Sequence, residues 1–277
     1  SMPSVPVRVS CGRGVPIHSG VRAIEQIRRM RGGSQSHLMR CSDDNYYVVK
    51  FQNNPQHRRI LVNELLATRL AERMGLPTTP TIIVEVSKRL IDSTDDLVIE
   101  LPKYRVPCSP GKQLGSKFFG NPHNLRTLDL LPGEELREVN NFGDFAGMVV
   151  FDKWTCNCDG RQCLFMLQDS GDFSMVGIDQ GFCFNAGEWN FPDSPLRGLY
   201  GNKTIYRDLV KSMDSFEPWL TRIEREFTLD TILQAADGIP PEWFEFDHVA
   251  LSQLLEKLNR RRKMVRELIR VSCTKLL

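Results

Sequence analysis

No stretch of this chain stays apolar for the roughly 20 residues that a bilayer span requires. The N-terminus lacks the charged-then-apolar run of a secretory signal. Charge excess is also missing. Lys and Arg number 36 against 34 Asp and Glu, a net of +2, so bulk charge gives no strong nucleic-acid signal. Cysteine is thin, 8 in 277 residues. That is too few for a disulfide scaffold, and a chain of this length buries a core without staples. Reduced thiols and a cytoplasmic location are expected. Cys156, Cys158 and Cys163 cluster, but no second pair or histidine set stands at zinc spacing, so they read as free thiols. Internal repeats and low-complexity tails are absent. What remains is ordinary globular material, 41% hydrophobic and 25% charged, long enough for one large domain or two small lobes.

Residues 1–18, rich in Val, Pro and Gly, read as an edge strand or a loose arm. Val21–Met30 reads as a short helix with Ile24 and Ile27 inward. Leu38–Arg40 and Tyr46–Phe51 read as strands joined by a turn at Ser42–Asn45. A long helix from Pro55 to Met74 carries an apolar stripe through Ile60, Leu61, Leu65, Leu66, Leu70 and Met74, with Gly75 as its C-cap. Thr78–Val86, Leu97–Leu101, Cys108–Phe119 and Thr127–Leu131 read as further strands, closed by a hinge at Pro132-Gly133. Beyond it the pattern turns helical at 140–155, 214–227, 229–236 and 247–271, with Arg260–Lys263 as a solvated face. Strands first and helices second predict an α+β, bilobal chain. Residues 1–131 form an antiparallel-sheet lobe and residues 132–277 a mainly helical one.

The chemistry gathers between Phe151 and Phe184. Asp159 lies in a polar loop, C-N-C-D-G-R-Q. Asp179 follows the apolar run Met175–Ile178. The hairpin CLFML, QDSGDF, SMVGI between them brings both carboxylates to one end of a small sheet. Two such acids suit phosphoryl transfer. One handles the hydroxyl proton, and the other, with an amide oxygen such as Asn157 or Gln162, holds Mg²⁺ on the phosphates. Taken alone, they also suit turn and capping roles. Upstream, Gly32, Gly33, Ser34, Gln35 and Ser36 form a small-residue loop whose backbone N–H groups can approach phosphate oxygens, or a plain turn. Lys50 sits mid-strand among apolar neighbours, and Glu64 sits in the apolar part of the long helix; each needs a partner, and each is the other's simplest one. The loop around Trp189, Phe191 and Arg197 is rich in aromatics, Gly and Pro, so it reads as structured.

In order, the chain reads small-residue loop, strand lysine, helix glutamate, hinge, helix, aspartate loop, hairpin and second aspartate. That is the order of the bilobal kinase folds. The wording resembles the HipA-like kinases, above all the stand-alone HipA-like kinase domain. The matching pieces are VVKF at 48–51, NELLATRLAERMGLP at 63–77, DFAGMVVFDKWTCNCDGRQCLF at 144–165 and GIDQGFCFNAGEWNFPDSPLRGLY at 177–200. The likeness covers nearly everything after about residue 20, and a more distant one runs to phosphatidylinositol kinases.

The resemblance implies ATP and Mg²⁺ as cofactors. Lys50 would contact the phosphates and pair with Glu64, Asp159 would be the catalytic aspartate, and Asp179 would bind the metal. Gln162 stands where the family has a metal-binding Asn, in a loop about two residues shorter. Met30 stands where family toxins carry a regulatory Ser, and Ser34 and Ser36 are the hydroxyls nearby. Trp189 and Arg197 fall on the substrate-side loop of a kinase, or pack the helical lobe. The implied acceptor is a protein Ser or Thr, and an antitoxin-like or regulatory protein is the implied partner. A pseudokinase acting as an interaction module, or a lipid or small-molecule kinase, would share this site.

Overall fold

The computed structural model describes residues 20–276; the N-terminal arm expected at 1–18 lies outside them. Strands β1 (Val21–Arg29), β2 (His37–Cys41), β3 (Tyr46–Lys50) and β4 (Thr81–Val86) are followed by a small hairpin, β5 (Val98–Glu100) and β6 (Arg105–Pro107), and by β7 (Gly111–Lys117). Five of these close into a barrel in the order β1-β2-β3-β7-β4. All its pairings are antiparallel except β1 with β4, where Val21 and Arg22 face Val84 and Glu85 in parallel. Alternation along β3 sends Tyr47 and Val49 into the barrel core with Met39, Val84 and Val86. Val48 and Lys50 are thereby turned to the other face.

Helix α1 (Arg59–Arg73) packs against β4 and β7 on one side and against α3 (Leu229–Ala235) on the other. The apolar stripe was expected on one face. In fact every residue from Ile60 to Ala71 except Arg69 is buried, because the helix is sandwiched. Its arginines reach outward to carbonyls: Arg59 to Gly187 at 3.0 Å, Arg69 to Ala235 at 3.0 Å and Asp237 at 2.7 Å, Arg73 to Thr231 at 2.7 Å. Gly75, at φ 77, ends the helix as expected, and the Leu76 N–H returns to the Ala71 carbonyl at 3.0 Å.

The second half is built on α2 (Asp144–Thr155), which is buried along almost its whole length. Gly147 lets it approach closely. A Cβ there would stand 2.4 Å from the Trp219 ring and 2.5 Å from Leu76. Strands β8 (Thr127–Leu128), β9 (Gln162–Leu167) and β10 (Phe173–Ile178) form a separate sheet in the order β10-β9-β8. The predicted hairpin is present as β9 and β10. The strand expected at Thr127 exists, but it pairs with β9 rather than with the barrel.

Three expectations fail. Val21–Met30 is strand, not helix. Two register irregularities, between Ala23 and Glu25 and between Gln26 and Arg28, break the period of two and leave Ile24 41% exposed. Pairing on both edges overrides the local pattern. The helix expected at 247–271 is two helices, α4 (His248–Arg261) and α5 (Val265–Leu276). The chain breaks where the basic run turns inward. Arg261 donates to the Trp154 and Lys153 carbonyls, each at 2.8 Å, and Arg262 donates to the Ile223 carbonyl at 3.0 Å. The run is therefore a solvated face only at its ends, Arg260 and Lys263, while Arg261 is buried and Arg262 half-buried. Residues 214–227 are not one helix: a 3₁₀ turn at Met213–Phe216 precedes Pro218, and a helical segment follows it from Trp219 to Glu226, π-helical from Arg222 on.

Candidate active site

A cleft of about 1290 Å³ is lined by Gly32, Gly33, Ser34 and Ser36 from the β1–β2 loop and by Lys50, Glu64, Asp159, Gln162 and Asp179. The loop crosses from strand to strand and is closed by Met30 N–H on the Ser36 carbonyl at 2.9 Å. Gly32 takes φ 119, a conformation that side chains resist. Gln35 is the exception among the predicted loop residues. Its side chain turns away from the cleft and pairs with the Glu100 backbone, donating at 2.8 Å and accepting at 2.7 Å. It anchors the loop to β5.

Lys50 and Glu64 meet as their sequence settings required. The ammonium donates to Glu64 Oε1 at 2.6 Å and to Asp179 Oδ1 at 3.2 Å. Lys50 is 8% exposed and Glu64 2%. Burial works against the charge on Lys50, but Glu64 and Asp179 outweigh it and hold its pKa above the ordinary lysine value. Glu64 Oε2 accepts the N–H of Gln180 at 3.0 Å, so the helix acid grips the chain one residue past Asp179. Asp179 itself takes φ 56, and its side chain remains 40% exposed.

Asp159 stands on a turn whose N–H is taken by Asn157 Oδ1 at 3.1 Å. One of its own carboxylate oxygens accepts the Gly160 N–H at 2.8 Å. Gln162 opens β9 directly opposite Ile178, and its amide nitrogen lies 3.5 Å from Asp159 Oδ2. Gln162 is exposed at the cleft and free to turn an oxygen outward. Asn157 is not free. It is 1% exposed, and its amide donates to Asp152 Oδ1 at 3.1 Å. Of the two amides considered for the metal, only Gln162 remains available. Among the described residues no group of three or more His, Cys, Asp or Glu could hold a metal. Mg²⁺ asks less, one or two carboxylates plus substrate phosphates and water, and Asp179 with Gln162 fits that requirement.

Trp189 and Arg197 are not brought to the cleft. Trp189 is 4% exposed, its indole N–H donates to Asn63 Oδ1 at 2.8 Å, and Arg59 lies 4.1 Å over its ring. Asn63 in turn donates to the Gly181, Cys183 and Ala186 carbonyls at 2.8, 3.1 and 2.8 Å. Trp189 therefore packs the segment after Asp179 onto α1. Arg197 donates to the Pro192 carbonyl at 2.9 Å, within its own loop. Lys153 ties that loop down through the Ser194, Pro195 and Arg197 carbonyls at 2.7, 2.8 and 2.9 Å. Burial lowers its pKa to about 8.

Beneath the site lies a buried ion pair that the sequence pattern alone does not single out. Arg161 donates through Nε to Asp152 Oδ2 at 2.9 Å and through Nη2 to Oδ1, with side chains 0% and 1% exposed. It also reaches Gln180 Oε1 at 2.9 Å and the Ile178 carbonyl at 3.0 Å. The signal was present in Asp152 and Lys153, two charges inside the otherwise apolar run Phe145–Trp154. The cluster cysteines are poor thiolate candidates, since burial pushes Cys163 up to about 12 and raises Cys156 and Cys158.

No curated protein matches the sequence. Solved structures share the fold at low identity. The Golgi casein kinase aligns with TM-score 0.51 and 12% identity over 92% of this chain and 73% of its own. Its form with Mn/ADP bound gives the same TM-score and identity over 92% and 72%. The Helicobacter pylori proinflammatory kinase CtkA aligns with TM-score 0.50 and 16% identity over 87% of this chain and 96% of its own. The fold is that of the protein-kinase-like proteins. The family described as HipA-like kinase matches residues 23–271, and to that family this chain belongs.

Proposed function

We propose that this kinase moves the γ-phosphoryl group of ATP to a hydroxyl acceptor, most fittingly a protein Ser or Thr. One observation carries the reading. The Lys50 ammonium bridges Glu64 and Asp179 at 2.6 and 3.2 Å in a cleft that also holds Asp159 and the glycine loop. In this reading Lys50 meets the nucleotide phosphates, and Glu64 holds Lys50 extended. The backbone N–H groups of Gly32, Gly33, Ser34 and Ser36 face the phosphate oxygens. Asp179 and Gln162 hold the divalent ion, which supplies neutralisation of phosphate charge. Asp159 orients the acceptor hydroxyl and takes its proton. The two-lobe division at 131 and 132, with the nucleotide between the lobes, belongs to the same reading. So do Mg²⁺ as the working ion and a cytoplasmic setting. The Golgi casein kinase with Mn/ADP bound supports nucleotide and divalent-metal use. Among the described residues no helix is long and apolar enough to cross a membrane.

A second reading rests on Gln162. Its amide leans toward Asp159 at 3.5 Å, and a chain that bound nucleotide without turning it over would act as an interaction module. Purified chain supplied with labelled Mg-ATP and a proteome lysate, then with a lipid panel, separates the cases. Label on protein supports the proposal, label on lipid moves the acceptor class, and nucleotide binding without transfer favours the module.

A further inference from the structure

We propose that Arg161 is a positioning residue that sets the spacing of Asp159 and Asp179, and that its buried partner Asp152 exists to hold it in that role. The proposal rests on the kinase reading of the cleft.

The geometry is unusual for a structural ion pair. Arg161 lies two residues after Asp159, and its guanidinium reaches the residues on both sides of Asp179, the Ile178 carbonyl at 3.0 Å and Gln180 Oε1 at 2.9 Å. Its remaining donors close on Asp152 as a fork, the arrangement that fixes a guanidinium plane as well as its place. Asp152 is tied to the other flank of Asp159. Asn157 donates to it at 3.1 Å and uses its own oxygen to take the Asp159 N–H at 3.1 Å. Gln180 is bound from the opposite side by Glu64, through its N–H at 3.0 Å. A continuous path of hydrogen bonds thus runs from Lys50 through Glu64, Gln180, Arg161, Asp152 and Asn157 to Asp159.

Stability alone does not account for this pair. A buried ion pair is weak as a stabilising device, because removing two charges from water costs nearly as much as their attraction returns. What this one adds is directional. A shift of Asp179 strains the guanidinium's bonds to the residues flanking it, and a shift of Asp159 strains the Asn157 link to the Asp152 that holds the same guanidinium. Phosphoryl transfer depends on in-line placement of acceptor, phosphate and metal, and a misplacement of about 1 Å costs on the order of 10²-fold. Lysine cannot substitute, since a point charge has no planar fork to join four acceptors.

The test uses Arg161→Lys and the charge-neutral double variant Asp152→Asn/Arg161→Met, which avoids leaving one buried charge alone. Each is titrated with Mn-ADP, and Mg-ATP turnover is then measured per nucleotide-binding site. The expected result is Mn-ADP stoichiometry near that of wild type, KM for ATP within about twofold, and kcat lower by roughly 10²-fold. Wild-type kcat per binding site in either variant overturns the proposal. So does a double variant that fails to fold, since the pair is then a folding element. A wild-type chain that neither binds Mn-ADP nor turns over ATP refutes the kinase reading itself, a result distinct from either of these.

Discussion

Gln162 and Ile178 stand opposite one another at the open end of the β9–β10 ladder. Asp159 leaves that end three residues before Gln162, and Asp179 leaves it one residue after Ile178. The register of one hairpin therefore fixes where both acids stand. A one-residue slip would send alternate side chains, such as buried Phe165 and Met175, to the wrong face.

Breaking the Lys50–Glu64 pair will cost stability as well as nucleotide affinity. Lys50→Met leaves Glu64 buried with only the Gln180 N–H for company. A stranded buried charge costs about 3–5 kcal/mol. Glu64→Gln keeps an acceptor for that N–H and is expected to cost less. Thermal unfolding with and without Mg-ATP checks both. The lysine variant should melt lower and lose its nucleotide-induced stabilisation.

Acid lability should trace to His37. The imidazole is fully buried in β2, edge-on to Phe51. Burial first and Arg29 second bring its pKa down to about 4 from an ordinary 6.5. Between those values the unfolded chain binds the proton and the folded chain does not, so stability falls as pH drops from 6.5 toward 4 and then levels off. The full effect is about 3 kcal/mol. Urea unfolding across this range should show the slope in wild type and a flatter profile in His37→Gln.

Trp189 should behave as a packing residue. Trp189→Ala empties a buried site and strands Asn63 Oδ1, with an expected loss of about 3–5 kcal/mol. Trp189→Phe, which keeps most of the volume, should retain acceptor KM while lowering the melting temperature. A raised acceptor KM at unchanged stability would return Trp189 to the substrate side.

Much of the site was legible because its residues are anomalies in their settings. A lysine in an apolar strand, a glutamate in an apolar helix and two aspartates flanking a hairpin each announce a partner or a task. Other positions hid their roles. The bulges of β1 masked its period, and Gln35 lies within the glycine loop yet serves β5. Arg161 looks like any loop arginine until its acceptors are seen, because a side chain's burial depends on distant segments such as Gln180. The failure at Arg261 and Arg262 has the same cause. Sequence separation hides the carbonyls they cap.

Metal dependence should follow Asp179 and Gln162 unequally. Chelation of divalent ions should abolish turnover. Gln162→Ala should raise the Mg²⁺ concentration for half-maximal turnover about tenfold, because a second protein oxygen is lost while the carboxylate remains. An unchanged Mg²⁺ requirement would remove Gln162 from the metal site.

The division of labour between the two aspartates is the centre of this account, and paired variants measure it most directly. Asp159→Ala and Asp179→Ala are each titrated with Mg-ATP and assayed for phosphoryl transfer to an acceptor identified with the wild-type chain. Asp159→Ala should keep wild-type nucleotide affinity and lose turnover by about 10²–10⁴-fold, the range of a general base. Asp179→Ala should lose productive Mg-ATP binding altogether. Wild-type transfer by Asp159→Ala, or undiminished Mg-ATP affinity in Asp179→Ala, contradicts the account.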